Sequence, residues 1–237
     1  MAKTVGFACS IKPQWIKKTI QLVDENLDEA NFKEQRNEYL GFEIDGPTRL
    51  RKTREILMNM WFYDRKGLPA IRREALRLID KYPEYFAPIN LCILYLAYPV
   101  VADICKFMGR IFESHDDVTN AMLKQKLFDE WGERGALDTT CRRVTLTLKE
   151  FELLEASSKT RYVLRKMSVT NSEVVDFMLS VVMKIDDAGY YSFTELNDMG
   201  LLFLFDYVVS KEHIMMDDRF TVSTFGGEVV VSLKDVQ

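Results

Sequence analysis

The sequence predicts a mainly α-helical protein, and three observations carry that prediction. Apolar residues recur at helical spacing up to about residue 156. Glycine and proline are scarce, at 11 and 6 in 237 residues, so long flexible linkers are not expected. The composition is 47% hydrophobic and 29% charged, which suits a folded chain and excludes a disordered one. The length allows one large domain or two small ones. A change of pattern after 156 divides the chain into a helical body, 1–156, and a smaller C-terminal α+β part, 157–237.

The first helix is marked by Trp15, Ile16, Ile20 and Val23, and a second is expected around 29–40. Pro47 suits the first turn of a third helix, where its missing N–H costs nothing. In that helix Leu50, Leu57 and Trp61 share a face with Met60 beside them, while Arg51, Lys52 and Glu55 point away. A fourth helix, near 69–82, is expected to bury Ile71, Ala75, Leu78 and Tyr82 and to project Arg73 and Arg77. The stretches 88–97 and 100–113 are apolar nearly all round and belong at the centre. Together they form the one run that resembles a membrane span, but Pro99 breaks it, and Asp103 and Lys106 follow before spanning length.

Asp116 or Asp117 is expected to cap a helix running to about Trp131, followed by a turn at Gly132 and Gly135. Asp138 or Thr139 would then cap a helix whose core stripe is Cys141, Val144, Leu148 and Phe151, with Arg142 and Arg143 off that stripe. Helix, short turn and a second helix with basic residues near its start is the outline of a helix-turn-helix. Beyond 157, residues 160–169 suggest a short strand. Thr170-x-x-Glu173 and Ser192-x-x-Glu195 match capping boxes. Residues 219–233 read as a β-hairpin about Gly226-Gly227, which gives this part a winged-helix-like outline.

The net charge of −4 hides a strong polarity. Residues 47–77 hold nine basic side chains against three acidic, and residues 134–166 hold eight against four. Residues 167–237 hold four against twelve. Seven of the nine basic residues in 47–77 are arginine, whose planar fork binds phosphate oxygens in pairs. The candidate phosphate contacts are Arg49, Arg51, Lys52, Arg54, Arg73, Arg77, Arg142, Arg143, Arg161, Arg165 and Lys166. General phosphate contact needs only exposure and position, whereas base reading needs a helix free to enter a groove.

Catalytic signatures are missing from the chain. It carries no GxxxxGK[ST], no GxGxxG before a helix, no HExxH and no GxSxG. Of the two histidines, His115 stands beside Asp116 and Asp117, but three consecutive polar residues do not converge on one ion without remote ligands. Cys9, Cys92, Cys105 and Cys141 form no CxxC pair and read as reduced core residues. No catalytic residue, metal or cofactor is expected. The stretch MAKTVGFACSIKPQW lacks the apolar region of a secretory signal, so the expected location is cytoplasmic.

The chain resembles the BrxA family of BREX phage-defence systems, small accessory proteins of bacteria. The resemblance rests on RLRKTREIL (49–57), INLCILYLAYPVVADICKFM (89–108), LFDEWGERGALDTTCRRVTLTLKEFELL (127–154) and FGGEVVVSL (225–233). It implies a helical body similar to the NusB antitermination fold. It also implies duplex DNA binding with little sequence preference, alongside other BREX proteins. Two other readings stay open: a protein–protein adaptor that docks through the acidic C-terminal part, and an RNA-binding protein. A continuous basic groove joining 47–77 to 134–166 would favour DNA, and scattered arginines would favour the adaptor.

Overall fold

The structure, a computed structural model, describes residues 6–24, 29–63, 68–133, 135–186 and 188–234. Arg65, Lys66 and Arg134, which contribute to the basic segments of the sequence, lie outside the described residues. The described chain is mainly helical, with three small sheets.

Helices α1 (Pro13–Asp24), α2 (Glu29–Gly41) and α3 (Pro47–Trp61) pack on one another. Gly46 precedes α3 with φ 87°, a left-handed conformation that glycine adopts freely, and Pro47 opens the helix. The second half of α3 is buried from Ile56 to Trp61. Arg72, on α4 (Leu68–Lys81), secures its end by donating from Nε to the Met60 carbonyl at 2.7 Å and from Nη2 to the Asn59 carbonyl at 2.9 Å. These are carbonyls that a helix end leaves without intrahelical partners. One of the basic residues in 47–77 is therefore an internal clamp.

Helices α5 (Phe86–Ala97) and α6 (Pro99–Phe112) occupy the centre, and most of their residues are buried. The helical stretches on either side of Tyr98 are bent by 119°, and no single helix among the described residues is long and apolar enough to cross a membrane. Gly109 allows α6 to approach the 3-10 turn Gly200–Leu202, because a Cβ there would lie 2.9 Å from the Gly200 carbonyl oxygen.

Thr119, the last residue of β1 (Asp117–Thr119), caps α7 (Asn120–Trp131) by accepting from the Met122 N–H at 3.2 Å. Asp117 is instead held in the strand. Helix α8 (Ala136–Glu150) starts before Asp138 and has no side-chain cap. Asp138 instead stands in its first turn, where a negative charge complements the helix dipole. The stripe Cys141, Val144, Leu148 and Phe151 is buried as the spacing predicts.

Strands β2 (Leu154–Ala156) and β3 (Arg161–Leu164) join β1 in an antiparallel sheet ordered β1-β3-β2. The chain thus crosses residue 156 inside a sheet that pairs segments from both sides of it. The stretch 160–169 is two strands, not one: β4 (Met167–Val169) leaves that sheet and pairs in parallel with β6 (Phe205–Tyr207). Helix α9 (Ser172–Asp186) packs on α5, and one apolar cluster runs from Phe7 to Val231. The capping box expected at Thr170 is not formed. Asn171 Oδ1 accepts from the Val174 N–H at 3.2 Å, and Glu173 turns towards α4.

The box at Ser192 and Glu195 is formed at the start of the short α10 (Phe193–Leu196), just after β5 (Tyr191–Ser192). Helix α11 (Lys211–Met216) precedes strands β7 (Phe220–Phe225) and β8 (Glu228–Leu233), which pair antiparallel in a sheet ordered β5-β8-β7. Between β7 and β8, Gly226 and Gly227 both have positive φ, 60° and 89°, as the tightest hairpin turns require.

Candidate nucleic-acid interface

The site is built around the chain's first described residues. Phe7, Cys9 and Ile11 are buried, with Ala8 and Ser10 half-buried between them. Helix α8 holds this segment through two threonines. Thr140 Oγ1 accepts from the Phe7 N–H at 3.4 Å, and Thr147 Oγ1 accepts from the Ile11 N–H at 3.0 Å. Arg143 Nη1 donates to the Phe7 carbonyl at 3.3 Å. On the other side Cys9 Sγ reaches the Arg49 carbonyl of α3 at 4.0 Å. The segment therefore lies between α3 and α8 and contacts both.

Above it is a concavity of about 490 Å³. Arg49 and Lys52 come from α3, and Arg142 and Arg143 come from α8, with the hydroxyls of Ser10, Thr48 and Thr139 around them. Among the described residues no carboxylate lines it. Arg49 and Arg142 are exposed, while Lys52 and Arg143 are half-buried. A second concavity of about 510 Å³ shares Ala8 and Lys52 with the first and adds Arg51, together with Glu55. The two basic segments of the sequence thus meet in space across the N-terminal segment.

The other candidates are elsewhere. Arg54 is half-buried and donates to Asn37 Oδ1 at 3.2 Å, and Arg73 is exposed on α4 outside both concavities. Arg77 forms a two-point pair with Glu74, at 2.9 and 2.8 Å, and a further bond to Glu173 at 3.0 Å. Arg161 grips Asp117 at 2.9 and 2.8 Å. Arg165 lies 3.7 Å from Glu155, and Lys166 lies 3.3 Å from Asp206. These four are cations with acidic partners. Lys81, Arg77 and Tyr82 all bond Glu173, and the Lys81 ammonium leads in holding its carboxyl down at about 2.

Helix α8 is engaged on two faces, by the core and by the N-terminal segment. Its exposed residues are Ala136, Asp138, Thr139 and Arg142 near the start and Lys149 and Glu150 at the end. Because the helix begins at Ala136, Arg142 and Arg143 lie beyond the first turn, where a helix dipole disfavours cations. Their position carries no such penalty.

Sequence reasoning missed the N-terminal segment and its threonine partners. The alternation in FACSI (7–11) was the available signal. Elsewhere His115 Nδ1 lies 2.9 Å from Ser114 Oγ, and no group of three metal-ligating side chains occurs among the described residues. All four cysteines are buried and free, and burial pushes the Cys105 and Cys141 thiols up to about 12. Compared with models of protein families, with curated proteins and with solved structures, the chain matches none.

Proposed function

We propose that this protein is a non-enzymatic DNA-binding accessory factor of a bacterial BREX phage-defence system, a member of the BrxA family with a NusB-like helical body. It binds the phosphates of duplex DNA with little preference for sequence, working beside other BREX proteins in the cytoplasm. One observation carries the reading: Arg49, Lys52, Arg142 and Arg143, from two helices distant in sequence, line one concavity with no acid among the described residues around it. Phosphate contacts of this kind position a protein on a duplex and carry no base information. The narrow exposed strip of α8 favours backbone contact over insertion of a recognition helix.

The test is a salt titration of binding to two unrelated duplexes of equal length. The two should bind alike, and log affinity should fall with log salt by about 0.9 per phosphate neutralised. A strong preference for one sequence that persists at high salt would overturn the reading. Duplex RNA and single strands in the same titration separate DNA from RNA binding.

A second reading, an adaptor that docks a larger defence subunit, draws on the winged-helix-like C-terminal part. There Val208, just before α11, and Met215 and Met216, at its end, are exposed at 79%, 70% and 84% within the acidic part of the chain. Co-purification of a BREX subunit that is lost on Met215→Asp with Met216→Asp would support it.

A further inference from the structure

We infer that the concavity between α3 and α8 is also a pocket for a compact oligophosphate, such as inorganic triphosphate or the triphosphate tail of a nucleotide, and that this ligand competes with duplex. The inference rests on the pocket assigned above to duplex phosphates.

A volume of about 490 Å³ falls among small-ligand pockets, which span about 300–1,000 Å³. The charges of a duplex are spread along it, one per about 1.7 Å of axis over both strands, so a recess of this size meets few of them. A short phosphate chain places several charges in the same space, since even one phosphate group carries about −1.5 to −2. Four cations around a single recess suit the second arrangement.

The rest of the lining points the same way. Ser10, Thr48 and Thr139 supply hydroxyl donors, and Ala8 and Leu146 supply an apolar wall. The start of α3 adds to this. Pro47 has no N–H, Leu50 N–H bonds the Gly46 carbonyl at 3.1 Å, and no side chain caps the helix. The N–H groups of Thr48 and Arg49 therefore stand at an open helix start, an end that favours anions. Among the described residues no aromatic ring, side-chain amide or carboxylate lines the pocket, so its lining is dominated by cations and hydroxyls that suit phosphate oxygens. The phosphates are what it recognises.

Calorimetric titration of the full chain with inorganic tripolyphosphate, ATP and AMP at constant ionic strength tests this. Tripolyphosphate and ATP should bind within about threefold of each other, and AMP at least about tenfold more weakly. Both Arg49→Gln and Arg142→Gln should weaken tripolyphosphate at least about tenfold, while Arg110→Gln, an exposed cation on α6, should leave it unchanged. Tripolyphosphate should also displace a labelled duplex.

No heat at about 5 mM tripolyphosphate, or an equal loss from all three variants, overturns the inference. ATP binding far tighter than tripolyphosphate overturns the chemical class. If tripolyphosphate fails while duplex still depends on Arg49 and Arg142, this inference falls and the duplex reading stands. If tripolyphosphate binds and duplex does not, the duplex reading falls and this one stands.

Discussion

Two sets of basic side chains in this molecule have the same sequence signature and opposite surroundings. Arg49, Lys52 and Arg142 line a recess with no ion pair among the described residues, and Arg143 spends one bond on a backbone carbonyl. Arg77, Lys81, Arg161 and Lys166 each lie against a carboxylate, and for Arg77 and Lys81 that carboxylate is Glu173 at the start of α9. The first set leaves a positive potential for a polyanion. The second set cancels its own and ties strands and helices together. A local excess of arginine therefore says little about binding until the acids around it are known.

The sharpest way to break this comparison is to reverse charge in the open set. Arg49→Glu with Arg142→Glu should weaken duplex binding by about 100-fold at low salt, or about 2.7 kcal/mol. It should also flatten the salt dependence by about 0.9 for each lost phosphate contact. Arg77→Gln with Lys166→Gln, measured the same way, should leave both quantities nearly unchanged and lower thermal stability instead. Equal loss of affinity from the two pairs would erase the distinction.

The next effect concerns what holds the open set together. Thr147→Val removes the acceptor for the buried Ile11 N–H, and an orphaned buried donor costs about 1–3 kcal/mol. Denaturant unfolding should show that loss. Duplex affinity at a temperature where the variant is folded should fall as well, because the N-terminal segment forms the floor between Arg49 and Arg142. Thr147→Ser keeps the hydroxyl and should recover most of both. If Thr147→Val loses stability with affinity intact, the segment is packing and not part of the site.

How much of this was legible follows the range of the interactions involved. The start of α3 at Pro47, the centrality of α5 and α6, and the buried stripe of α8 all follow from spacing and local backbone rules, so they could be read directly. The start of α8 is not marked in the sequence, because the helix has no side-chain cap and Asp138, a residue type that caps helices, stands in its first turn. The charge partners were out of reach for a different reason. Arg77 and Glu173 are 96 residues apart, and Arg161 and Asp117 are 44 apart, and nothing in either local sequence marks its mate. The meeting of Arg49 with Arg142 across the N-terminal segment was hidden in the same way. The role of that segment is legible in the alternation of FACSI (7–11).

The C-terminal part also contains an acid that is poorly matched, the reverse of the open cations. Asp176 on α9 is only 1% exposed, its Oδ1 has no hydrogen-bond partner among the described residues, and its Oδ2 lies 3.6 Å from His213 Nδ1. Burial, with the nearby Asp217 charge, raises its carboxyl to about 6, opposed by Arg219 and His213. A carboxyl raised on folding favours the native state while protonated, and that advantage is lost as pH rises from about 4 to about 6. Asp176→Asn abolishes the titration, so its stability relative to the parent should improve across that window. At pH 7 the gain should be on the order of 1–2 kcal/mol after the variant's own unpaired amide is counted. A difference between the two proteins that does not change between pH 4 and pH 7 would contradict this.

Glu173 gives the smallest effect and the opposite sign. Its carboxyl is held down at about 2 by Lys81, Arg77 and Tyr82, so its contribution is present above the unfolded value near pH 4 and is lost as pH falls towards 2. The side chain is 33% exposed and its two cations about half exposed, so solvent screens the pairs and the worth of the group is about 1 kcal/mol or less. Glu173→Gln should therefore lower stability slightly at pH 7 and converge with the parent below about pH 3. The same variant releases Arg77 and Lys81 from Glu173, although Glu74 still holds Arg77. If cations elsewhere on the surface could serve the duplex, freeing Lys81 should strengthen binding. The recess between α3 and α8 holds neither residue, so duplex affinity should stay within about twofold of the parent. A larger gain would mean that the neutralised set is a second binding face kept silent by its acids.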